Sequence, residues 1–181
     1  TLSLASPVRI LARLAGERAR RHTIAALLAI GLTLCASSLW IYAKASLAQV
    51  LLEISWQGGG VAKPWPWADT RPVAKLKLER NGRSIVVLAG ASGRTMAFGP
   101  GHLDGTAAPG TIGSYVITAH RDTHFTALCY RVPGDVIALQ KPDRSMAPYE
   151  VTETKVVESQ DTSVLRQDGE TRLTLITCYP F

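Results

Sequence analysis

The feature that most constrains this chain is residues 24–43 (IAALLAIGLTLCASSLWIYA), twenty positions without one charged side chain. As a helix rising about 1.5 Å per residue, this run is about 30 Å long, the thickness of a bilayer's hydrocarbon core. Its flanks set a direction. Arg9, Arg13, Arg18, Arg20 and Arg21 precede it, while only Lys44 follows closely. The positive-inside rule then places residues 1–22 in the cytoplasm and everything past about residue 45 outside. A cleaved signal peptide is the rival, because Ala43-Lys44-Ala45 has small-x-small spacing. Against it stand the length of the apolar run and the position of Trp40 and Tyr42, where interfacial aromatics anchor a spanning helix. Leu34 before Cys35 argues against a lipoprotein.

The formal charge of +6 also belongs to the N-terminus, since residues 1–22 hold five arginines against Glu17 and leave a net of +2 to the rest. A net of +2 without a basic cluster releases few counterions, so no nucleic-acid partner is expected. At 46% apolar and 19% charged, the 181 residues suit one globular domain with an appendage. Apolar spacing continues through Leu47, Val50, Leu51, Ile54 and Trp56, extending the helix until Gly58-Gly59-Gly60. The layout is therefore a basic segment over 1–22, the membrane helix and its extension over 23–57, a Gly/Pro/Trp strap over 58–72, and a β domain over 73–181. In the strap, alternating prolines favour extended backbone, and Trp65 and Trp67 are expected to pin it to the domain surface.

From Val73 the pattern is short strands with turn punctuation. Ala74, Leu76 and Leu78 alternate with Lys75, Lys77 and Glu79, and Asn81-Gly82 reads as a hairpin turn into a strand at 84–88. Further strands are predicted at 94–98, 114–120, 134–140, 149–158 and 171–178, with a helical turn at 123–130. Little helix and evenly spaced strands make the domain mainly β, a sandwich or a barrel.

Cys35 lies in the span, leaving Cys129 and Cys178 in an oxidising compartment where a disulfide is one reading. The preferred expectation is a buried, inert Cys129 and a free Cys178. Strand ends are good places for reactive groups, because the strand fixes the backbone while the last side chains face a cleft. One such end runs from Tyr115 to His120, and the other from Leu173 to Cys178. A cysteine attacks as thiolate, and a histidine beside it can carry the protons of acyl transfer.

Thr174-Leu175-Ile176-Thr177-Cys178 resembles the TLxTC signature of sortases, cysteine transpeptidases that process surface proteins bearing an LPxTG-like sorting signal. TAHRDTHF at 118–125 is similar to that family's strand-end histidine and following helix, and with WPWADT and Cys178-Tyr179-Pro180-Phe181 the resemblance is to its Gram-negative (proteobacterial) branch. It implies a sortase-like β-barrel in the periplasm, held in the inner (cytoplasmic) membrane by a single pass. Cys178 would be the nucleophile and His120 the proton carrier. Thr177 would support the oxyanion and substrate side, and Asp122 could orient His120. Arg121 would brace the loop by a salt bridge. The partners implied are a surface protein with the sorting signal and an amine acceptor of unstated identity, with no cofactor and no metal.

The chain departs from that pattern at one place. Sortases carry an arginine on the strand after the cysteine, and the sequence stops at Phe181. Arg172 lies on the same strand as Cys178, but six residues at about 3.3 Å each separate them by roughly 20 Å. The expectation is a fragment lacking its final strand. Two alternatives stay open: a non-catalytic domain with a Cys129–Cys178 disulfide, and an L,D-transpeptidase-like peptidoglycan enzyme, whose HGC-like neighbourhood is absent around Cys178.

Overall fold

The computed structural model describes residues 7–60, 62–78, 83–166 and 168–181. The chain forms two compact units, Thr1–Ser46 and Leu47–Phe181. Helix α1, Pro7–Gln57, occupies the described part of the first unit and supplies the second with its last turns. Its segment from Arg20 onward is long and apolar enough to cross a membrane, and none of its most apolar window is buried. Leu27, Leu32 and Leu39 stand 64%, 70% and 71% exposed, the behaviour of a helix with an apolar exterior. The hydroxyls of Thr33, Ser37 and Ser38 donate to the carbonyls of Ala29, Thr33 and Leu34 at 2.8, 2.8 and 3.1 Å. Polar side chains satisfied by their own helix are compatible with lipid.

The second unit is a nearly closed barrel of one seven-stranded sheet, in the order β6-β5-β1-β2-β3-β4-β7. Its strands are β1 (Pro72–Leu78), β2 (Arg83–Ala89), β3 (Gly101–His102), β4 (Gly113–Thr118), β5 (Val136–Gln140), β6 (Met146–Glu150) and β7 (Thr171–Ile176). Alternation in β1 sends Ala74, Leu76 and Leu78 into the core, where Ile85, Val87, Tyr115, Ile117, Ile137, Leu139 and Phe125 meet them. Strand β2 is apolar on both faces for a reason. Ile85 and Val87 face that core, whereas Val86 and Leu88 pack under Leu52 and Trp56 of α1, with Trp65 and Phe98 alongside.

Polar contacts complete the seat of the last turns of α1. Glu53 pairs with Lys75 at 2.7 Å, Gln49 Nε2 donates to the Phe98 carbonyl at 2.7 Å, and Arg144 Nη2 donates to the carbonyls of Trp56 and Gln57 at 2.9 and 2.7 Å. The arginine thus caps carbonyls that a helix end leaves unpaired. Gly59 and Gly60 follow at φ 98° and 69°, where a side chain would be strained, and this ends the helix.

Several sequence expectations are corrected. Residues 94–98 are not a strand: Ser92 accepts from Thr95 N at 3.2 Å and starts a short helix α2, Gly93–Met96. A side-chain cap here decides for helix over the extended backbone expected of this segment. The strand expected over 149–158 is β6 instead, which starts at Met146 and ends at Glu150; Val151 bonds the β5 approach through Asp135 and Gly134, and residues 152–158 are exposed. Trp65 does pin the strap, edge-on to Phe98 at 5.1 Å, but Trp67 is 82% exposed. The Asn81-Gly82 turn lies outside the described residues; the strands flanking it pair antiparallel, with Leu78 opposite Arg83.

Candidate active site

Strands β4 and β7 run parallel in unbroken register, from Gly113 beside Thr171 to Thr118 beside Ile176. Ile117 and Tyr115 anchor β4 in the core, and the hydroxyls of Ser114 and Thr174 meet across the pair at 2.8 Å. Pairing continues just past the strands: Ala119 N donates to the Ile176 carbonyl at 3.2 Å, and the Thr177 hydroxyl donates to the Ala119 carbonyl at 2.9 Å. The next residue on each side is His120 or Cys178, each two positions past the last register pair, Thr118 beside Ile176. Both are exposed. They sit two residues beyond their strands, not on the last strand residue as the sequence suggested, because β4 ends at Thr118 and β7 at Ile176.

The chain after His120 is anchored from below. Phe125 is fully buried, and its N–H donates to the His120 carbonyl at 3.1 Å. The Thr126 hydroxyl reaches the carbonyls of Arg121 and Thr123 at 3.1 and 3.2 Å, and a 3-10 helix, Thr126–Tyr130, follows. Arg121 Nε meets Asp122 Oδ1 at 2.8 Å, and Arg121 Nη1 donates to the Pro180 carbonyl beyond Cys178. The Arg121 guanidinium holds the Asp122 carboxyl below its usual range, and the charge of nearby His120 lowers it further. Asp122 therefore belongs to this corner, with its hydrogen bonds directed to Arg121. The Thr177 hydroxyl proton is likewise committed to Ala119.

Cys129 is a correction: it is exposed, with Sγ donating to the Thr126 carbonyl at 3.0 Å, because the 3-10 helix turns that position outward. All three cysteines are free thiols. Arg172 is held at the far end of β7 by Asp168 and Glu170, each at 2.9 Å.

The Sortase domain family matches residues 76–181, which is more than half of the chain and includes both His120 and Cys178. The chain belongs to the sortase family. Sortases are cysteine transpeptidases acting on surface proteins that carry sorting signals. Sortase D of Bacillus subtilis (strain 168) is 30% identical over 107 residues, covering 59% of this chain and 54% of that protein. The chain thus spans about half the length of that curated relative. Among solved structures, sortase A from Corynebacterium diphtheriae superposes with a TM-score of 0.57 at 30% identity, covering 64% of this chain and 56% of that one. Sortase C-1 from Actinomyces oris gives 0.55 at 31%, covering 60% and 66%. The barrel seen here is thus a sortase barrel. Phe125 belongs to the TAHRDTHF stretch that the sequence marked, whereas one support of this sortase's site escaped the sequence reading: Pro180, whose carbonyl no pattern marks as an acceptor.

Proposed function

We propose that this sortase is a membrane-anchored transpeptidase that cleaves an LPxTG-like sorting signal between Thr and Gly and transfers the acyl part to an amine. The observation that carries the reading is the unbroken parallel register of β4 and β7, two residues past which the chain reaches His120 after one strand and Cys178 after the other. The Cys178 thiolate attacks the threonine carbonyl carbon, forming a C–S bond. As the C–N bond breaks, the His120 imidazolium gives its proton to the departing amine. In the second half, an acceptor amine attacks the thioester, His120 takes a proton from it, and the C–S bond breaks to restore the thiolate. Thr177 contributes by tying the two strand ends together, and Asp122 by its place beside Arg121 and His120. Residues 24–43 would anchor the protein in the inner membrane with residues 1–22 in the cytoplasm and the barrel in the periplasm, as the arginine bias suggests. Membership of the Gram-negative branch rests on the WPWADT and CYPF segments.

The test uses the full-length protein, an LPxTG-like peptide and hydroxylamine as acceptor. The hydroxamate should form with the wild type, while Cys178→Ala and His120→Ala each lose nearly all of it. Near-wild-type transfer by His120→Ala would refute the assignment.

A further inference from the structure

We propose that Arg121 is a positioning residue for this reaction, a clamp that joins the loop carrying His120 to the loop carrying Cys178. The inference rests on the transpeptidase reading above and adds to it a residue that sequence reasoning assigned only to a local salt bridge. The β4–β7 ladder fixes the backbone as far as Ala119 and Ile176, and the Thr177 hydroxyl extends that by one link. Two exposed side chains beyond the ladder need a further tie if imidazole and thiol are to stay aligned, since a misplacement of about 1 Å can cost on the order of 100-fold in rate.

Arg121 supplies such a tie. Its Nη1 donates to the carbonyl of Pro180, two residues past Cys178, while Nε and Nη2 hold Oδ1 and Oδ2 of Asp122 at 2.8 and 3.4 Å. A guanidinium is suited to this because its donors diverge from one rigid plane and can serve a carboxylate and a carbonyl together, which an ammonium on a flexible stem does poorly. Asp122 is the aiming element: by occupying one edge of the fork it turns the other edge toward the Cys178 loop. The Arg121 side chain is 32% exposed against 75% for Asp122, so the cation is the more enclosed member of the pair. Asp122 above all favours the charged guanidinium, so every donor of the fork stays available to its two partners.

The experiment compares full-length wild type with Arg121→Gln, Arg121→Lys and Asp122→Asn, using peptide turnover and, separately, backbone hydrogen exchange over residues 177–181. Arg121→Gln should lower kcat by about 10-fold to 100-fold with little change in KM. It should also speed exchange over residues 177–181 several-fold while leaving the β4–β7 ladder as protected as in the wild type. Arg121→Lys, which keeps the charge but not the fork, should recover little of either, and Asp122→Asn should fall between wild type and Arg121→Gln in both. Unchanged kcat and exchange in Arg121→Gln would overturn the clamp, as would full recovery of both in Arg121→Lys. If the wild type turned over no sorting peptide, the transpeptidase reading would fail, while the exchange series, which needs no substrate, would still decide the role of Arg121.

Discussion

At the scale of single residues, the candidate site is built from groups that each do one physical job, and much of the support lies away from the thiol. Thr177 and Ala119 join the strand ends, Phe125 roots the loop of His120, and Asp122 and Arg121 form the corner beside it. His102 shows the same economy on the neighbouring strand. Its Nε2 lies 3.0 Å from the Thr106 hydroxyl and 3.2 Å from the Ala107 carbonyl, and its ring sits 4.5 Å from that of Tyr115. Burial lowers its pKa, with the Ala107 contact and Asp104 opposing in part. A histidine whose folded pKa lies below its unfolded value adds nothing to pH dependence above about pH 6.5, where both states are neutral. As pH falls below that, the unfolded chain takes up the proton more readily and the folded state loses ground. Urea midpoints should therefore decline from about pH 6.5 downward by more in the wild type than in His102→Gln. Parallel pH profiles for the two proteins would show that His102 makes no such contribution.

At the scale of elements, the barrel places its reactive residues by anchoring the strands that precede them. Phe125→Ala should cost about 3–5 kcal/mol, the usual loss for a fully buried phenylalanine, and should also depress turnover of the folded fraction because the support of His120 goes with it. Leu139→Ala, on β5 in the same core, should destabilise comparably yet leave turnover per folded molecule near wild type. Chemical denaturation paired with activity per folded molecule separates the two. Strand β1 was legible because burial imprints a period on it, the doubly apolar β2 because the Asn81-Gly82 turn signal precedes an apolar run, and α1 because Gly58-Gly59-Gly60 ends it. Strand β3, with two residues, is too short to carry a period. Residues 152–158 are rich in the β-branched Thr152, Thr154, Val156 and Val157 yet make no ladder, since such composition reports preference and not the presence of a partner. Helix α2 was missed because one capping serine decides it. Cys178 and His120 were legible as chemistry at strand ends and, through the sortase resemblance, as partners, but the parallel pairing of β4 with β7 was not, because it joins segments 58 positions apart that only the folded sheet brings together. The exposure of Cys129 likewise depends on which way a 3-10 turn faces.

At the scale of the whole molecule, one chain combines a helix suited to a membrane with a sortase barrel, each a compact unit. If residues 24–43 anchor the protein, it should remain in the membrane fraction after alkaline carbonate extraction. Leu28→Arg together with Leu32→Arg should shift it to the soluble fraction, since a central arginine costs about 2.5–3.5 kcal/mol on insertion scales. Release of the unaltered protein by carbonate would argue against the anchor. The central claim is chemical, that Cys178 carries the acyl group while His120 moves the protons. It is tested most directly by intact-protein mass spectrometry of the full-length enzyme quenched in acid during turnover of an LPxTG-like peptide. The account predicts a mass increase equal to the acyl half of the peptide, mapped to Cys178, removed by hydroxylamine and absent from Cys178→Ala. Peptide cleavage without that adduct, or an adduct mapped to Cys129, would contradict it.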